Sequence, residues 1–195
     1  FDEQTRYQIY QDIYNDSVWL NNLVENLLYA TRIEEGRMVL NTSTELLADV
    51  IDDAVRHVKQ HSGEHSIFVE SDDEYILVTA DARLIVQVII NIVDNAVRYT
   101  PPGSHITIRS CRENNMAVVY IEDNGNGISD EDKEHVFDKF YSGTNRIADN
   151  RRSIGLGLYL CKAIIEAHGG TITVRDNNPA GAVFVFTLPL ADNAF

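Results

Sequence analysis

Basic residues are scarce in this chain of 195: 16 Lys and Arg stand against 30 Asp and Glu, a formal net charge of −14. A surface this acidic repels phosphate backbones and anionic lipid, which argues against general nucleic-acid or anionic-membrane binding. An anionic ligand would have to be met by local basic groups and backbone amides. Cysteine is nearly absent. Cys111 and Cys161 show neither metal-ligand nor redox spacing and read as free thiols of a reducing compartment. No apolar run is long enough to span a bilayer, and no signal-peptide pattern is visible. Gly-Lys-Ser/Thr does not occur, which excludes a Walker P-loop. His-Arg-Asp and Asp-Phe-Gly are also missing, which argues against a Ser/Thr/Tyr kinase core. The sequence opens mid-pattern on Phe1, so the expectation is a portion of a longer protein.

What is present is strongly patterned. With 44% hydrophobic residues there is material for a core, and the length suits one domain plus a modest extra piece. The spacing predicts one long amphipathic helix from Thr5 to Ile33. Ile9, Ile13, Leu20, Leu23, Val24, Leu27 and Leu28 mark its apolar side, and Gly36 is its stop. A stripe of that length predicts a bundle or dimer role, against the plainer alternative of packing on its own domain. A short strand is expected near Arg37 to Leu40. Thr42-Ser43-Thr44-Glu45 then supplies capping residues for a helix from Glu45 to Gln60. Alternation over Ser66–Glu70 and Tyr75–Thr79 predicts a hairpin around Ser71-Asp72-Asp73-Glu74.

The stretch from Ala82 to Tyr99 predicts a helix capped by Asp81 and ended by Pro101-Pro102-Gly103. Ile85, Val88, Ile89, Ile92, Val93 and Ala96 form one apolar face. Gln87, Asn91, Asn95 and Arg98 form a second, polar stripe. A solvated face is the commoner reason for such a stripe, but solvated faces carry mostly Glu and Lys. Amides can ligate a hard cation through oxygen, which favours a ligand-lining face. Strands are expected over His105–Arg112 and Met116–Glu122, turning at Glu113-Asn114-Asn115. A Gly/Asn loop over Asp123–Ser129, a short helix over Asp130–Phe137 and an aperiodic polar loop over 142–154 come next. Gly155-Leu156-Gly157 opens a helix to His168, Gly169-Gly170 breaks it, and strands over Thr171–Arg175 and Ala182–Leu188 close the chain. Interleaved, mostly hairpin-linked strands with helices predict an α/β two-layer sandwich, a mixed sheet with helices on one face, preceded by one long helix.

Several candidate chemistries sort on spacing alone. Framed from Glu122 as a calcium loop, the Gly/Asn stretch puts Lys133 where a bidentate Glu is required. Framed from Asp123, it puts Gly125 and Ile128 at the third and sixth places. Neither frame works. A Gly-rich loop after a strand instead permits close backbone approach to a ligand, and Asp123 at the strand end suits a hydrogen bond from an exocyclic amine. Gly155-Leu156-Gly157 at a helix start offers free N–H groups and the positive helix end to phosphate, although helix-packing glycines in a plain loop would look the same. His57, His61 and His65 share four-residue spacing but read as a solvated helix end rather than a metal face. His168 suits a helix C-terminus, where positive charge is favoured.

Taken in order, these pieces resemble the boxes of sensor histidine kinases. Gln87-x-x-x-Asn91-x-x-x-Asn95-Ala96 resembles the N box, Asp123-x-Gly125-x-Gly127-Ile128 the G1 box, Phe137-x-Lys139-Phe140-Tyr141 the F box, and Gly155-Leu156-Gly157-Leu158 the G2 box. His168-Gly169-Gly170-x-Ile172 and Gly181…Phe184-x-Phe186-x-Leu188-Pro189 are similar to the family's usual ending. The resemblance implies a Bergerat-type catalytic ATP-binding domain over residues 37–195. Residues 1–36 look like the second helix of the dimerisation and phosphotransfer hairpin. The wording from Trp19 to Leu28 is similar to that of KdpD-type potassium sensors. The resemblance further implies ATP and Mg²⁺ as ligands. Asn95 would hold the metal, Asn91 would sit beside the phosphates, and Arg98 and Tyr99 would approach phosphate and nucleotide. Asp123 would bond the adenine amine, and Gly125, Gly127 and Ile128 would shape the pocket. Lys139 and Tyr141 belong to the F box, residues 142–154 would form the ATP lid, and Gly155, Leu156 and Gly157 would cradle phosphates. Implied partners are a His-bearing dimerisation helix, a response-regulator receiver domain and a second copy in a homodimer, in the cytoplasmic part of a membrane-anchored sensor.

The sequence departs from the family pattern in places. None of the six histidines carries the phospho-acceptor signature, in which an acid follows the His. Ser142 stands where Arg is frequent, leaving Lys139, Arg146, Arg151 or Arg152 to meet the γ-phosphate. Ser153 replaces a frequent Gly, and Ala182 a frequent Thr. Two other functions stay open: a non-catalytic ATP-sensing interaction module, and an ATPase. Hydrolysing relatives place Glu where this chain has Asn91, and an amide has no basic form to activate water.

Overall fold

The computed structural model describes residues 2–36, 39–60, 62–71, 73–143 and 155–191. Helix α1 (Glu3–Glu34) starts at Asp2, whose side chain accepts the Thr5 N–H at 2.7 Å, and stops at Gly36 with φ +62°. Strand β1 (Ser43–Leu46), helix α2 (Leu47–Lys59), strands β2 (Ser66–Ser71) and β3 (Leu77–Ala80) and helix α3 (Ala82–Tyr99) follow. Strands β4 (His105–Glu113) and β5 (Met116–Asp123), helices α4 (Asp130–His135) and α5 (Gly157–Ala167) and strands β6 (Ile172–Asp176) and β7 (Ala182–Pro189) complete the fold.

Five strands form the main sheet in the order β2-β4-β5-β7-β6. The β2/β4 pair is parallel and the others are antiparallel, so the sheet is mixed. Alternation assigns its faces. Ile106 and Ile108 of β4, Ala117, Val119 and Ile121 of β5, and Phe184, Phe186 and Leu188 of β7 all point into one core. Across from them lie the apolar faces of α2, α3 and α5, including Leu47, Ile51, Ile85, Ile89, Ile92 and Ile164, each about fully buried. The fold is thus the expected two-layer α/β sandwich. On the outer sheet face Val118, Tyr120 and Val183 form a small second cluster, with the Arg109 and Arg175 guanidinium groups 4.8 and 5.5 Å from the Tyr120 ring centre.

Several expectations fail in the first half. The first strand lies at Ser43–Leu46 rather than at 37–40, of which 37 and 38 fall outside the described residues. The Thr42–Glu45 run is therefore mostly strand and not a cap. Helix α2 starts at Leu47 from Leu46, with no side-chain cap. The β-branched and acidic character of that run suits an exposed strand as well as a cap. The predicted hairpin does not form either. β2 joins β4 in parallel, Ser66 opposite His105, while β3 pairs with β1, Ser43 opposite Ala80. Alternation identifies a strand but not its partner.

His65 is also no solvated helix end. Its Nδ1 lies 3.1 Å from the Ser62 carbonyl oxygen and its Nε2 3.0 Å from Thr100 Oγ1, tying the approach to β2 to the end of α3. Asp81 stands at the α3 N-cap as expected, its carbonyl accepting the Leu84 and Ile85 N–H groups at 3.0 and 3.1 Å, but its side chain makes no cap bond. The carboxylate accepts the Asn41 N–H at 3.1 Å instead.

His168 ends α5 as expected but not through charge. The ring is 6% exposed, its Nδ1–H donates to the Ile164 carbonyl at 2.7 Å, and its Nε2 accepts the Asp81 N–H at 3.0 Å. One donor and one acceptor mark the neutral tautomer. The end of α5 is thereby bonded to the start of α3. His168→Ala should cost about 1–3 kcal/mol by stranding the buried Asp81 N–H. Denaturant unfolding monitored by circular dichroism measures it.

Candidate functional site

Of the polar stripe of α3, Asn95 lines a cavity of about 610 Å³ bounded by α3, the end of β5, α4 and the start of α5. Gln87 Nε2 donates to Asn91 Oδ1 at 3.1 Å, which orients the Asn91 amide. Asn91 Nδ2 is shut off from solvent and has no hydrogen-bond partner among the described residues. Its Cγ would be 3.9 Å from a Cβ placed on Gly157, so the α5 start abuts this amide. One turn on, Asn95 lines the cavity, half-buried, with no hydrogen bond to its amide among the described residues. Cys161, wholly buried on α5, has its thiol pushed up to about 12 by burial. The Asn91 amide opposes this slightly, through a contact too loose to count as a hydrogen bond.

Asp123 ends β5 and is 7% exposed. Its Oδ1 accepts the N–H groups of Gly125 at 2.9 Å and Ala182 at 3.2 Å; no described group bonds Oδ2. Burial raises the carboxyl above the usual aspartate range, and the two N–H groups pull the other way. The loop after β6 supports this end of β5. Asn177 Nδ2 donates to the Asp123 carbonyl at 2.8 Å, and Gly181, at φ +115°, passes so close that any Cβ would overlap that oxygen.

Beyond the Gly loop, Ser129 caps α4 by accepting the Asp132 N–H at 3.1 Å. The buried Asp132 carboxylate accepts the hydroxyls of Ser129 at 2.7 Å and Tyr141 at 2.6 Å. That second bond lifts the Tyr141 phenol to about 12. The Phe140 N–H donates to the Gly155 carbonyl at 2.9 Å. Gly155 has φ +68°, and a Cβ on it would overlap the Tyr141 carbonyl oxygen, so this crossing requires glycine.

Of the residues singled out from sequence, Asn95, Tyr99, Asp123, Gly127, Ile128, Tyr141, Gly155 and Gly157 line the cavity. Asn91 sits behind Gly157. Gly125 is buried against Thr100, whose methyl carbon would be 2.5 Å from a Cβ there. Leu156 is 3% exposed in the base of α5. Arg98 is exposed, and Lys139 stacks its ammonium 4.9 Å from the Phe140 ring centre; neither lines the cavity. Arg146, Arg151, Arg152 and Ser153 lie outside the described residues. Sequence reasoning missed Thr100, Ser129 and Asp132. Ser129-x-x-Asp132 was open to recognition as a capping pair.

Residues 80–192 match the family model described as histidine kinase-, DNA gyrase B-, and HSP90-like ATPase. The chain belongs to this family. Within the ATPase family its likeness is to sensor kinases. It is 39% identical over 188 residues to the sensor protein KdpD of Clostridium acetobutylicum, covering 96% of this chain and 21% of that one. The catalytic domain of the histidine kinase ThkA superposes with a TM-score of 0.66 at 31% identity, over 76% of this chain and 95% of that one. ThkA in complex with the response regulator protein TrrA gives a TM-score of 0.73 at 28% identity, over 100% of this chain and 54% of that one. The chain is thus the ATPase-type domain of a sensor histidine kinase, and it spans about a fifth of the length of its KdpD relative.

Burial of the Asp123 carboxylate in this ATPase domain carries a stability cost with a definite sign. The folded carboxyl is raised, so the unfolded chain releases that proton first. Stability therefore falls as pH rises from the ordinary aspartate value, 3.8, through the folded one. Asp123→Asn keeps an amide oxygen for the two N–H groups and does not ionise. It should melt above the unsubstituted chain near pH ~7, with the gap closing at about pH 3. Thermal melts across that range read the difference.

Proposed function

We propose that this chain binds Mg-ATP and supplies its γ-phosphoryl group to a histidine on a dimerisation helix that is not among these residues, within two-component signalling. The observation that carries this is the cavity: a buried carboxylate at a strand end and the Asn95 amide of α3 line one space with the glycine-flanked start of α5.

The Asp123 Oδ2 is available to an exocyclic amine, while its Oδ1 is occupied by backbone N–H groups. Tyr99, Ile128 and Phe184 supply apolar wall for a base. At the other end, the helix α5 N-terminus offers N–H groups and a positive dipole end to phosphates. Asn95, with its amide uncommitted among the described residues, fits a hard cation through Oδ1. Bound there, Mg²⁺ would neutralise phosphate charge. The buried, unbonded Asn91 Nδ2 is a donor without an acceptor, which suits a phosphate oxygen. These residues bind, orient and neutralise, the contributions phosphoryl transfer requires of a protein. None of them activates water, since Asn91 has no basic form, and this favours transfer over hydrolysis.

Helix α1 fits the second helix of a dimerisation hairpin, with residues 37–195 as the ATP-binding domain. Ile9, Ile13, Leu20, Val24, Leu27 and Leu28 are each at least 39% exposed, while Ala30 near the end of the helix is buried and α1 touches α5. That face would receive the His-bearing helix and a second copy in a homodimer. A response-regulator receiver domain would take the phosphoryl group onward, as the ThkA–TrrA pairing suggests for a relative. The setting would be the cytoplasmic portion of a membrane-anchored sensor.

Two outcomes are expected with labelled ATP. The chain should bind it with Mg²⁺ yet acquire no acid-labile phosphate alone, and adding a fragment that carries the His helix should restore transfer. Asn95→Ala should weaken Mg-ATP binding by about tenfold or more. Acid-labile label on this chain alone, or unchanged affinity in the Asn95 variant, would overturn the proposal.

A further inference from the structure

Three carboxylates are buried among the described residues: Asp81, Asp123 and Asp132. Asp81 ties α3 to the chain before β1 and, through its N–H, to His168. Asp123 serves the cavity. Asp132, 7% exposed, has no task in the chemistry above. Burying a carboxylate is costly unless bonds to its charged form repay it. Capping α4 does not require it, because the Ser129 hydroxyl oxygen already accepts the Asp132 N–H.

The carboxylate's longer reach is to Tyr141, nine residues on, at 2.6 Å. A hydroxyl that close to a carboxylate oxygen makes a charge-assisted bond, shorter and stronger than a neutral one. Gly143 runs beside the same carboxylate: a Cβ on it would be 3.4 Å from Asp132 Oδ1. Asp132, Tyr141 and Gly143 all line the cavity, and the Phe140 N–H donates to the carbonyl of Gly155, which lines it too. The segment is therefore held at two points, one on α4 and one ahead of α5.

We propose that Asp132 is a positioning residue for nucleotide binding, its carboxylate holding the Tyr141 hydroxyl so that Tyr141 to Gly143 stand as one wall of the cavity. This rests on the nucleotide reading above and adds to it a residue that acts on the nucleotide only through Tyr141. Among the described residues Asp132 is the hydrogen-bond partner of the Tyr141 hydroxyl, so that bond sets where the hydroxyl stands.

Titration calorimetry with Mg²⁺ and a non-hydrolysable ATP analogue tests it on the unsubstituted chain, D132N, Y141F, the double variant and K133A. D132N and Y141F should each weaken binding about tenfold, and the double variant should be no weaker than the weaker single one. Lys133 bonds α4 to β6 through Asp176 at 2.7 Å and does not line the cavity, so K133A should loosen α4 while leaving affinity within about twofold. A second readout needs no nucleotide: ultraviolet titration of the nine tyrosines should show D132N moving one late-ionising phenol to lower pH. Failure of the unsubstituted chain to bind would remove the nucleotide reading and this inference with it. Three results would remove this inference alone: binding that is indifferent to D132N and Y141F, losses matched by K133A, or a tyrosine titration unchanged in D132N.

Discussion

The end of β5 is where the sheet, the loops and the cavity meet, and the buried Asp123 carboxylate is what they meet around. Its Oδ1 collects N–H groups from Gly125, on its own loop, and from Ala182, the first residue of β7. Its carbonyl takes the Asn177 amide from the loop after β6. Its own loop and the turn between β6 and β7, 54 to 59 residues further on, are thus bonded to one residue. That arrangement fixes where β7 begins beside β5, with Glu122 opposite Val183, and demands glycine at 181, where any side chain would overlap the Asp123 carbonyl. A charge held in this way is unfavourable for folding and is useful only if something later bonds the remaining oxygen. A domain that only needed a stable corner would be better served by an amide.

Helix α3 stands opposite that corner, and its two stripes do two jobs. The apolar one supplies Ile85, Val88, Ile89, Ile92 and Val93 to the core, all nearly solvent-free. The amide stripe is graded. Asn91 is locked by Gln87 and closed in by Gly157 and Cys161, whereas Asn95 is open to the cavity. The gradient from enclosed to open follows from α5 crossing α3 at its middle, and it leaves the two amides in different environments one helical turn apart.

Legibility from sequence followed the range of the interactions involved. Helix α3 was predicted to the residue, Ala82–Tyr99, because periodicity and the following prolines are local signals. The hairpin of β4 and β5 was equally local, with Asn114 and Asn115 at φ 47° and 65° making its turn. The pairing of β2 with β4, across α3, was not legible, since the parallel register joins residues far apart in sequence, Ser66 with His105, and no local signal records it. Near the cavity, residues in glycine or amide motifs were found and those that act through another side chain were not. His65 announces nothing in sequence, yet it bonds Thr100, whose methyl group packs where a Gly125 side chain would be. Asp132 looked like one more acid in an acidic helix, and only its burial separates it from Asp130 and Glu131.

The same contrast bears on what this domain does with a nucleotide. Transfer to a protein side chain requires that the γ-phosphoryl end stay approachable by another helix, while the base end is enclosed. The cavity lining holds both kinds of group: the buried Asp123 and Phe184 beside the half-buried Asn95 and the exposed Ser142. A hydrolase has the opposite need, a base held against a water molecule, and Asn91 on α3 offers instead an amide whose nitrogen is buried and unbonded among the described residues. An amide can steady a phosphate but cannot take a proton, so the proposed function gives Asn91 a binding role and has the acceptor come from outside the domain.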